Sequence, residues 1–293
     1  MKILVTGVTG QLGSRLAEEA MSRGHSVVGT HFASENPPPF SSRVDLIDGA
    51  AVRVLISRHE PDLVINCVAL TNVEQCESDK PYAEKANIAS VVHLVEAIRN
   101  TSTILLHIST DFVFDGVKGN YIETDSKNPI NVYGWTKSEA EEVILREMNE
   151  DRFLIARSGG IIDFRKGSRN IGRVLLDAVQ DGHSIGVIAD QITTFIHARE
   201  EAKVLLDLIE NRCCGIYHVG GNRPSSRYDL ATTLLRKLGI EKPLFHAIGM
   251  NQFEKWKVPR PERTNLNVAK CEKALNRKIP TIEEMLDAYL SLN

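Results

Sequence analysis

The stretch Gly7-Val8-Thr9-Gly10-Gln11-Leu12-Gly13 constrains this 293-residue chain more than any other. It follows an apolar run, Lys2–Thr6, that reads as a strand, and it opens Gln11–Arg23, which reads as a helix stopped by Gly24. Three glycines at that junction have distinct uses. Gly7 permits the tight turn, Gly10 lets backbone approach a pyrophosphate, and Gly13 lets the helix pack close to the strand. The helix N-terminus then offers free N–H groups to the anion. The chain continues in the same style. Ser26–Thr30, Asp62–Cys67, Thr103–Ser109 and Phe153–Arg157 read as strands, with Asp48–Glu60 and Tyr82–Asn100 as helices between them. Thr103–Ser109 is dense enough in Ile and Leu to be covered on both faces. Strands alternating with helices of this length imply an α/β fold, a Rossmann-type doubly wound parallel sheet with right-handed crossovers.

Beyond Arg157 the pattern loosens. Ser158–Arg169 reads as a loop, Ile171–Gln180, Glu201–Asn211, Tyr228–Leu238 and Ile282–Leu292 as helices, and Gly215–Val219 as a strand. Lys242–Asn267 is irregular, with prolines at 243, 259 and 261. The expected organisation is a dinucleotide-binding domain over 1–160 and a smaller, mainly substrate-binding region over 161–293, some of whose elements (around 185–222) return to the sheet. A net charge of -3 carries no electrostatic footprint for wrapping nucleic acid. No apolar run approaches the roughly 20 residues that span a bilayer, and the first strand runs directly into Thr6-Gly7, unlike a signal peptide. The expectation is a cytoplasmic protein. The five cysteines, 67, 76, 213, 214 and 271, are odd in number and lack paired zinc-ligand spacing; they read as reduced thiols. No metal is needed for the chemistry that follows.

A carboxylate for the ribose 2′-hydroxyl belongs about 20 residues beyond the glycines, where the second strand ends. That place holds Thr30-His31-Phe32, and the nearest acid, Glu35, lies past it. Thr30, His31 and Arg43 could instead hold a 2′-phosphate, which favours NADP(H), with NAD(H) also admissible. Asp45-Leu46, at the end of a short third strand, reads as an adenine contact or a turn into the next helix.

Tyr133-Gly134-Trp135-Thr136-Lys137 places a phenol and an amine four residues apart, one above the other on a helix. A neighbouring ammonium is expected to lower the phenol toward working pH, making Tyr133 a proton donor for a carbonyl. Ser109-Thr110-Asp111 sits at the C-terminal end of a buried strand, where open α/β sheets bind ligands; Thr110 can hydrogen-bond the substrate oxygen.

Taken in order, the glycine loop, Ser109-Thr110-Asp111-Phe112-Val113-Phe114-Asp115-Gly116 and the Tyr133/Lys137 pair resemble the extended short-chain dehydrogenases/reductases. More narrowly the chain is similar to the dTDP-4-dehydrorhamnose reductase family, through Gly10–Gly13, Val64-Ile65-Asn66, Thr71-Asn72-Val73-Glu74, Asp190-Gln191 and Arg260-Pro261. The resemblance implies NAD(P)H-dependent reduction of the C4 ketone of a dTDP-6-deoxy-hexulose, with Thr110, Tyr133 and Lys137 catalytic. It implies cofactor contacts at the glycine loop (Gly7, Gly10, Gln11, Leu12, Gly13), Asp45, Leu46, Ala69 and Lys137, to which the end of the second strand adds Thr30 and His31. Substrate contacts are expected at Thr110, Asp111, Ser158, Asn170 and Arg260, with Lys166 and Arg169 as further candidates for a nucleotide diphosphate, and a homodimer is the family expectation. Two stretches depart from the family pattern: Gly159-Gly160-Ile161-Ile162 after Arg157-Ser158, and Ile192-Thr193-Thr194-Phe195 after Asp190-Gln191. Two other readings follow: a nucleotide-sugar epimerase or dehydratase, the dehydratase disfavoured by Phe112 after Asp111, and a cofactor-binding regulatory subunit resembling that of methionine adenosyltransferase.

Overall fold

A computed structural model describes residues 1–168 and 170–291. The alternating segments form one seven-stranded sheet: β1 (Lys2–Thr6), β2 (Ser26–His31), β3 (Ser41–Arg43), β4 (Leu63–Asn66), β5 (Ile104–Thr110), β6 (Phe153–Ser158) and β7 (Gly215–Val219). Their spatial order is β7-β6-β5-β4-β1-β2-β3, and every pairing is parallel. The chain runs outward from β1 through β2 and β3, then restarts at β4 and runs the other way. This leaves a crevice at the C-terminal ends of β1 and β4, the switch point where such sheets bind ligands.

Side chains alternate along each strand, so each face has its own core. Ile3, Val5, Ile65, Leu106 and Leu154 pack under α1 (Gln11–Ser22) and α8 (Ala198–Glu210). Leu4, Val64, Leu105 and Ile155 pack under α2 (Gly49–His59), α5 (Ser90–Ile98) and α6 (Val132–Glu147). Burial on both faces explains why Leu63–Ile65 of β4 and Ile104–Leu106 of β5 are continuously apolar.

The long helix expected over Tyr82–Asn100 is α4 (Lys80–Glu84) continued into α5 through a π turn at Lys85–Ala89. Buried Asn87 lies in that turn. Its Oδ1 accepts from Leu70 N–H at 2.7 Å, and its Nδ2 donates to Leu70 O and to Thr136 Oγ1. Of residues 185–222, α8 and β7 join the main sheet. Ile185–Ile188 pairs instead with Phe245–Ile248, and Ile192–Thr193 with Ser225–Ser226, in two small sheets outside it. Among the described residues no helix is long and apolar enough to cross a membrane, and all five cysteines are free.

Candidate active site

The glycine loop closes on itself. Gly7 stands at φ 69°, where an L side chain is strained, and its carbonyl accepts from Gly10 N–H at 2.9 Å. A Cβ on Gly13 would lie 2.3 Å from that same oxygen. Gly10 caps α1 with no side-chain bond, and the first turn, with buried Leu12, carries no acid. The leading N–H groups are therefore suited to an anion. Gln11 Nε2 beside them is a buried donor without a partner. An orphaned donor, an uncapped helix and a cradle that a methyl would fill suit a pyrophosphate. Gly13→Ala is expected to cost about 1–3 kcal/mol of stability through overpacking and to weaken dinucleotide binding. Thermal denaturation and titration calorimetry check this; an unaltered variant would remove the loop from the site.

At the end of β2 the structure revises one expectation. Thr30 is buried at 1% exposure and its hydroxyl accepts from Gly7 N–H at 3.4 Å, so it braces the loop rather than facing a 2′-phosphate. The outward groups are His31, whose Nδ1 is 2.9 Å from Ser41 Oγ, and Arg43, lying 5.5 Å over the exposed ring of Phe32. Leu46 also departs from its expected contact: its side chain is buried in the core and its carbonyl accepts from His93 Nδ1 at 3.0 Å. Half-buried Asp45 turns back on Ile47 N–H at 3.0 Å. Ala69, half-buried, follows β4 at the switch point. With no carboxylate in Thr30-His31-Phe32 at the end of β2, NADPH is expected to bind at least as tightly as NADH, and Arg43→Ala to erase any preference. Calorimetry with both cofactors decides; tighter NADH binding would contradict it.

The reactive trio comes together across β5 and α6. Asn131 caps α6 by accepting from Gly134 N–H at 2.9 Å, which sets Tyr133 in the first turn and Lys137 one turn later. Gly134 allows α6 to touch Asp111–Val113: a Cβ there would lie 2.2 Å from Phe112 O. The Tyr133 hydroxyl lies beside Thr110, and Phe112 meets its ring edge-on at 5.9 Å. Thr110 is 7% exposed, accepts from Phe112 N–H at 3.2 Å and donates to Asp111 Oδ1 at 3.2 Å.

The expected lowering of the Tyr133 phenol is not what this geometry produces. Burial, with the Asp111 charge adding to it, pushes the phenol above its ordinary range despite the Thr110 hydroxyl beside it. Lys137 is buried at 2% exposure, and burial lowers its amine to about 8. Its Nζ lies 2.7 Å from Ile108 O and 3.0 Å from His107 Nε2. Burial shifts both groups toward their uncharged forms relative to their ordinary values.

Above the trio, Asp111 is a buried hub. Its Oδ2 accepts from Thr193 Oγ1 at 2.9 Å and Thr264 Oγ1 at 2.5 Å, and burial raises its carboxyl. Arg260 is held by Glu74 at 2.9 Å and lies 4.9 Å over Trp256, whose ring Arg227 also faces at 5.2 Å. The segment carrying Arg260 closes on α6 through Asn131 Nδ2, which donates to Pro259 O at 3.1 Å. Trp256 and Arg260 line a cavity of about 460 Å³ with Asp190, Met250 and Glu262. Arg227 was missed in the sequence. It opens α9 (Arg227–Lys237) far from any motif, and only the fold brings its charge near Asp111.

Two expected substrate contacts are engaged elsewhere. Ser158 is 2% exposed and its hydroxyl donates to Glu201 of α8, whose carboxyl burial raises to about 8. Asn170 caps α7 (Ile171–Asp181), accepting from Arg173 and Asp163 N–H and donating to Asp163 O at 2.9 Å. Lys166 is exposed at a separate cavity of about 960 Å³ beside Arg15 and Phe164. Arg169 lies outside the described residues.

The two unusual stretches are mates. A Cβ on Gly159 would lie 2.3 Å from Thr194 O, and one on Gly160 2.5 Å from the Phe195 ring. Ile161–Ile162 pairs with Ile196–His197, and Phe195 is 1% exposed. The small residues of one segment make room for Thr194 and Phe195 of the other, so the two stretches pack as one unit.

Similarity to known proteins follows the same lines. A protein of Haloferax volcanii described as a "probable low-salt glycan biosynthesis reductase" is 30% identical, covering 98% of this chain and 97% of its own. A dTDP-4-dehydrorhamnose reductase of Aggregatibacter actinomycetemcomitans is 30% identical over 93% and 92%. A methionine adenosyltransferase 2 subunit beta of Xenopus tropicalis is 28% identical over 93% and 82%. Among solved structures, a hypothetical dTDP-4-dehydrorhamnose reductase from Sulfolobus tokodaii has TM-score 0.86 at 31% identity, covering 96% and 97%. A Bacillus anthracis dTDP-4-dehydrorhamnose reductase in complex with NADP shares the fold, with TM-score 0.88 at 22% identity, covering 100% and 99%. Residues 1–292 match the family described as the RmlD substrate binding domain, and the chain belongs to that family.

Proposed function

We propose that this protein is an NADPH-dependent reductase of a nucleotide-linked 4-keto-6-deoxy sugar. The carrying observation is the placement of the Tyr133 phenol beside Thr110 at the C-terminal edge of the sheet, where burial keeps it protonated. A group that must deliver a proton to a ketone oxygen is useful only while it still holds one. Thr110 and Tyr133 bind that oxygen together; as charge develops on it, the Tyr133 proton moves across. Gly7, Gly10, Gln11 and Gly13 hold the pyrophosphate of the cofactor, His31 and Arg43 its 2′-phosphate, and Lys137 lies one turn from Tyr133. When bound, a reduced nicotinamide supplies the hydride.

Arg260 and Arg227, stacked on Trp256, offer two guanidiniums to a diphosphate and an aromatic edge to a base. Residues 161–291 supply most of this wall. Oxidation of NADPH by a dTDP-4-keto-6-deoxy-hexulose, followed at the nicotinamide absorbance, tests the reading. Turnover that disappears in Tyr133→Phe supports it. The likeness to a methionine adenosyltransferase subunit favours a second reading, a cofactor-binding regulatory subunit. No turnover across a panel of nucleotide sugars, with NADPH still bound, would put that reading first.

A further inference from the structure

On the face of the sheet that α1 and α8 cover, away from α6, lies the cavity of about 960 Å³. Its walls come from α1, the loop after Ile162, the starts of α7 and α8, and the last helix, Ile282–Leu290. The cations in these walls divide into two groups. Four are neutralised within the protein. Arg15 and Arg165 share Asp163, with Nε–Oδ2 distances of 2.9 and 3.0 Å, and both reach Glu18. Arg173 pairs with Asp177, and Lys278 with Glu272 at 2.6 Å. The other three, Lys166, Arg199 and Lys203, are exposed and hold no acidic partner among the described residues. Of the acids in the walls, Glu200 is taken by Arg277 at 3.0 Å, and Glu284 caps the last helix by accepting from Thr281 N–H at 2.7 Å. One carboxylate is thus left against three uncompensated cations, in a chain whose net charge is -3.

Two further features suit the cavity to a ligand. His197 lines it, is 6% exposed, and accepts at Nδ1 from Arg199 N–H at 3.2 Å. A backbone N–H can only donate, and burial lowers the imidazole to about 4, so the ring is neutral and carries its hydrogen on Nε2. That donor has no acceptor among the described residues. Asp163 Oδ1 lies 4.0 Å away and is engaged by Arg15 at 3.1 Å. The second feature is an apolar wall beside the cationic one. Met285, Ala288 and Tyr289 stand on one side of the last helix, and Ile279 and Pro280 extend the wall they form. The Tyr289 ring is backed by Phe164 at 4.5 Å. Arg199 and Lys203 stand one turn apart on α8, so they rise from the same side of that helix.

We propose that this cavity is a second ligand site, for a nucleoside di- or triphosphate, with Lys166, Arg199 and Lys203 on the phosphates and the Tyr289 wall against the base. Like charges gathered at one cavity repel each other, and a polyphosphate supplies the opposite charge that the protein withholds. The apolar wall gives a planar ring a surface to cover. The volume falls within the range of about 300–1,000 Å³ usual for small-molecule sites. Arg165 stands at the boundary with the glycine loop, since it lines the cavity while its Nη2 donates to Gln11 O at 3.1 Å. Binding here is therefore measured with the glycine loop filled.

Turnover plays no part in the test. In the full chain saturated with NADPH, titration calorimetry is expected to show ADP binding at one further site, more tightly than inorganic pyrophosphate and less tightly as salt is raised. Arg199→Glu and Lys203→Glu should each weaken ADP at least about tenfold, because each replaces a charge-assisted bond with repulsion. NADPH affinity should stay as in the wild type. Both side chains are exposed, and an acid at position 199 suits the first turn of α8, so both variants should melt close to the wild type. No ADP binding to the NADPH-saturated chain, or an affinity unmoved in both folded variants, would overturn the proposal. Pyrophosphate binding as tightly as ADP would overturn the nucleoside half of it. A wild-type dimer that Arg199→Glu dissolves, with no ADP site, would make this face an interface between copies instead. A chain that turns over no sugar still gives these titrations, so failure of the reductase reading is seen separately.

Discussion

Tyr133→Phe is expected to lower turnover of the true substrate by about 10²–10⁴-fold, roughly 3–5 kcal/mol of barrier, while NADPH affinity and thermal stability stay close to wild type. The change removes one hydroxyl and keeps the ring against Phe112. Thr110 retains Asp111 and Phe112 N–H as partners. Because the phenol is held protonated, its own ionisation should lower the wild-type rate only well on the alkaline side. Thr110→Val should produce a smaller loss in turnover, since it removes one of two contacts to the substrate oxygen and not the proton. Steady-state kinetics with a calorimetric measure of NADPH binding separates the possibilities. Full activity in Tyr133→Phe would mean that another group delivers the proton.

Arg157→Met should be the most damaging single change to stability, by about 3–5 kcal/mol, because it strands a buried carboxylate. Glu141 is fully buried, and the Arg157 guanidinium grips it with Nε at 3.0 Å and Nη2 at 2.8 Å. Ser109 Oγ donates to the same carboxyl at 2.5 Å. The pair joins β5, β6 and α6 directly beneath the reactive trio, since Glu141 follows Lys137 by one helical turn. Arg157 also lies 5.3 Å over the Phe114 ring. The melting temperature should fall by roughly 10 °C for a chain of this size, and Glu141→Leu added to it should restore much of the loss.

The pH dependence carries the sign. In the wild type, the bonds and charge of Arg157 outweigh burial and hold the Glu141 carboxyl below its ordinary value. Its contribution is therefore present above the unfolded carboxyl value and lost as pH falls through the folded one. In Arg157→Met only Ser109 and Lys127 remain against burial, the carboxyl takes up a proton more readily, and the gap between variant and wild type should narrow on acidification. A gap that widened in acid, or no gap at all, would show that the pair is not what holds α6 in place.

What the sequence by itself determined was local chemistry and period. Strand β1 and strand β7 fall where the apolar runs put them, because a parallel sheet covered on both faces needs continuous apolar strands, and that is visible in one dimension. Gly7, Gly10 and Gly13 are legible for a similar reason: their demands come from residues within one turn of one another. The same holds for Tyr133 and Lys137, neighbours on α6. Only the tertiary structure decided what depends on distant partners. Thr30 reads as a cofactor contact until its hydroxyl is seen under Gly7, 23 residues back. Ser158 looks exposed at a strand end until α8 brings Glu201 against it. The sequence suggests an ammonium at Lys137 lowering a phenol, since four residues apart means contact. Burial decides otherwise, because desolvation is set by everything packed around a group and not by its spacing. The packing of Gly159-Gly160 against Thr194-Phe195, and the nearness of the Arg227 charge to Asp111, likewise exist only once the chain has crossed the sheet and returned.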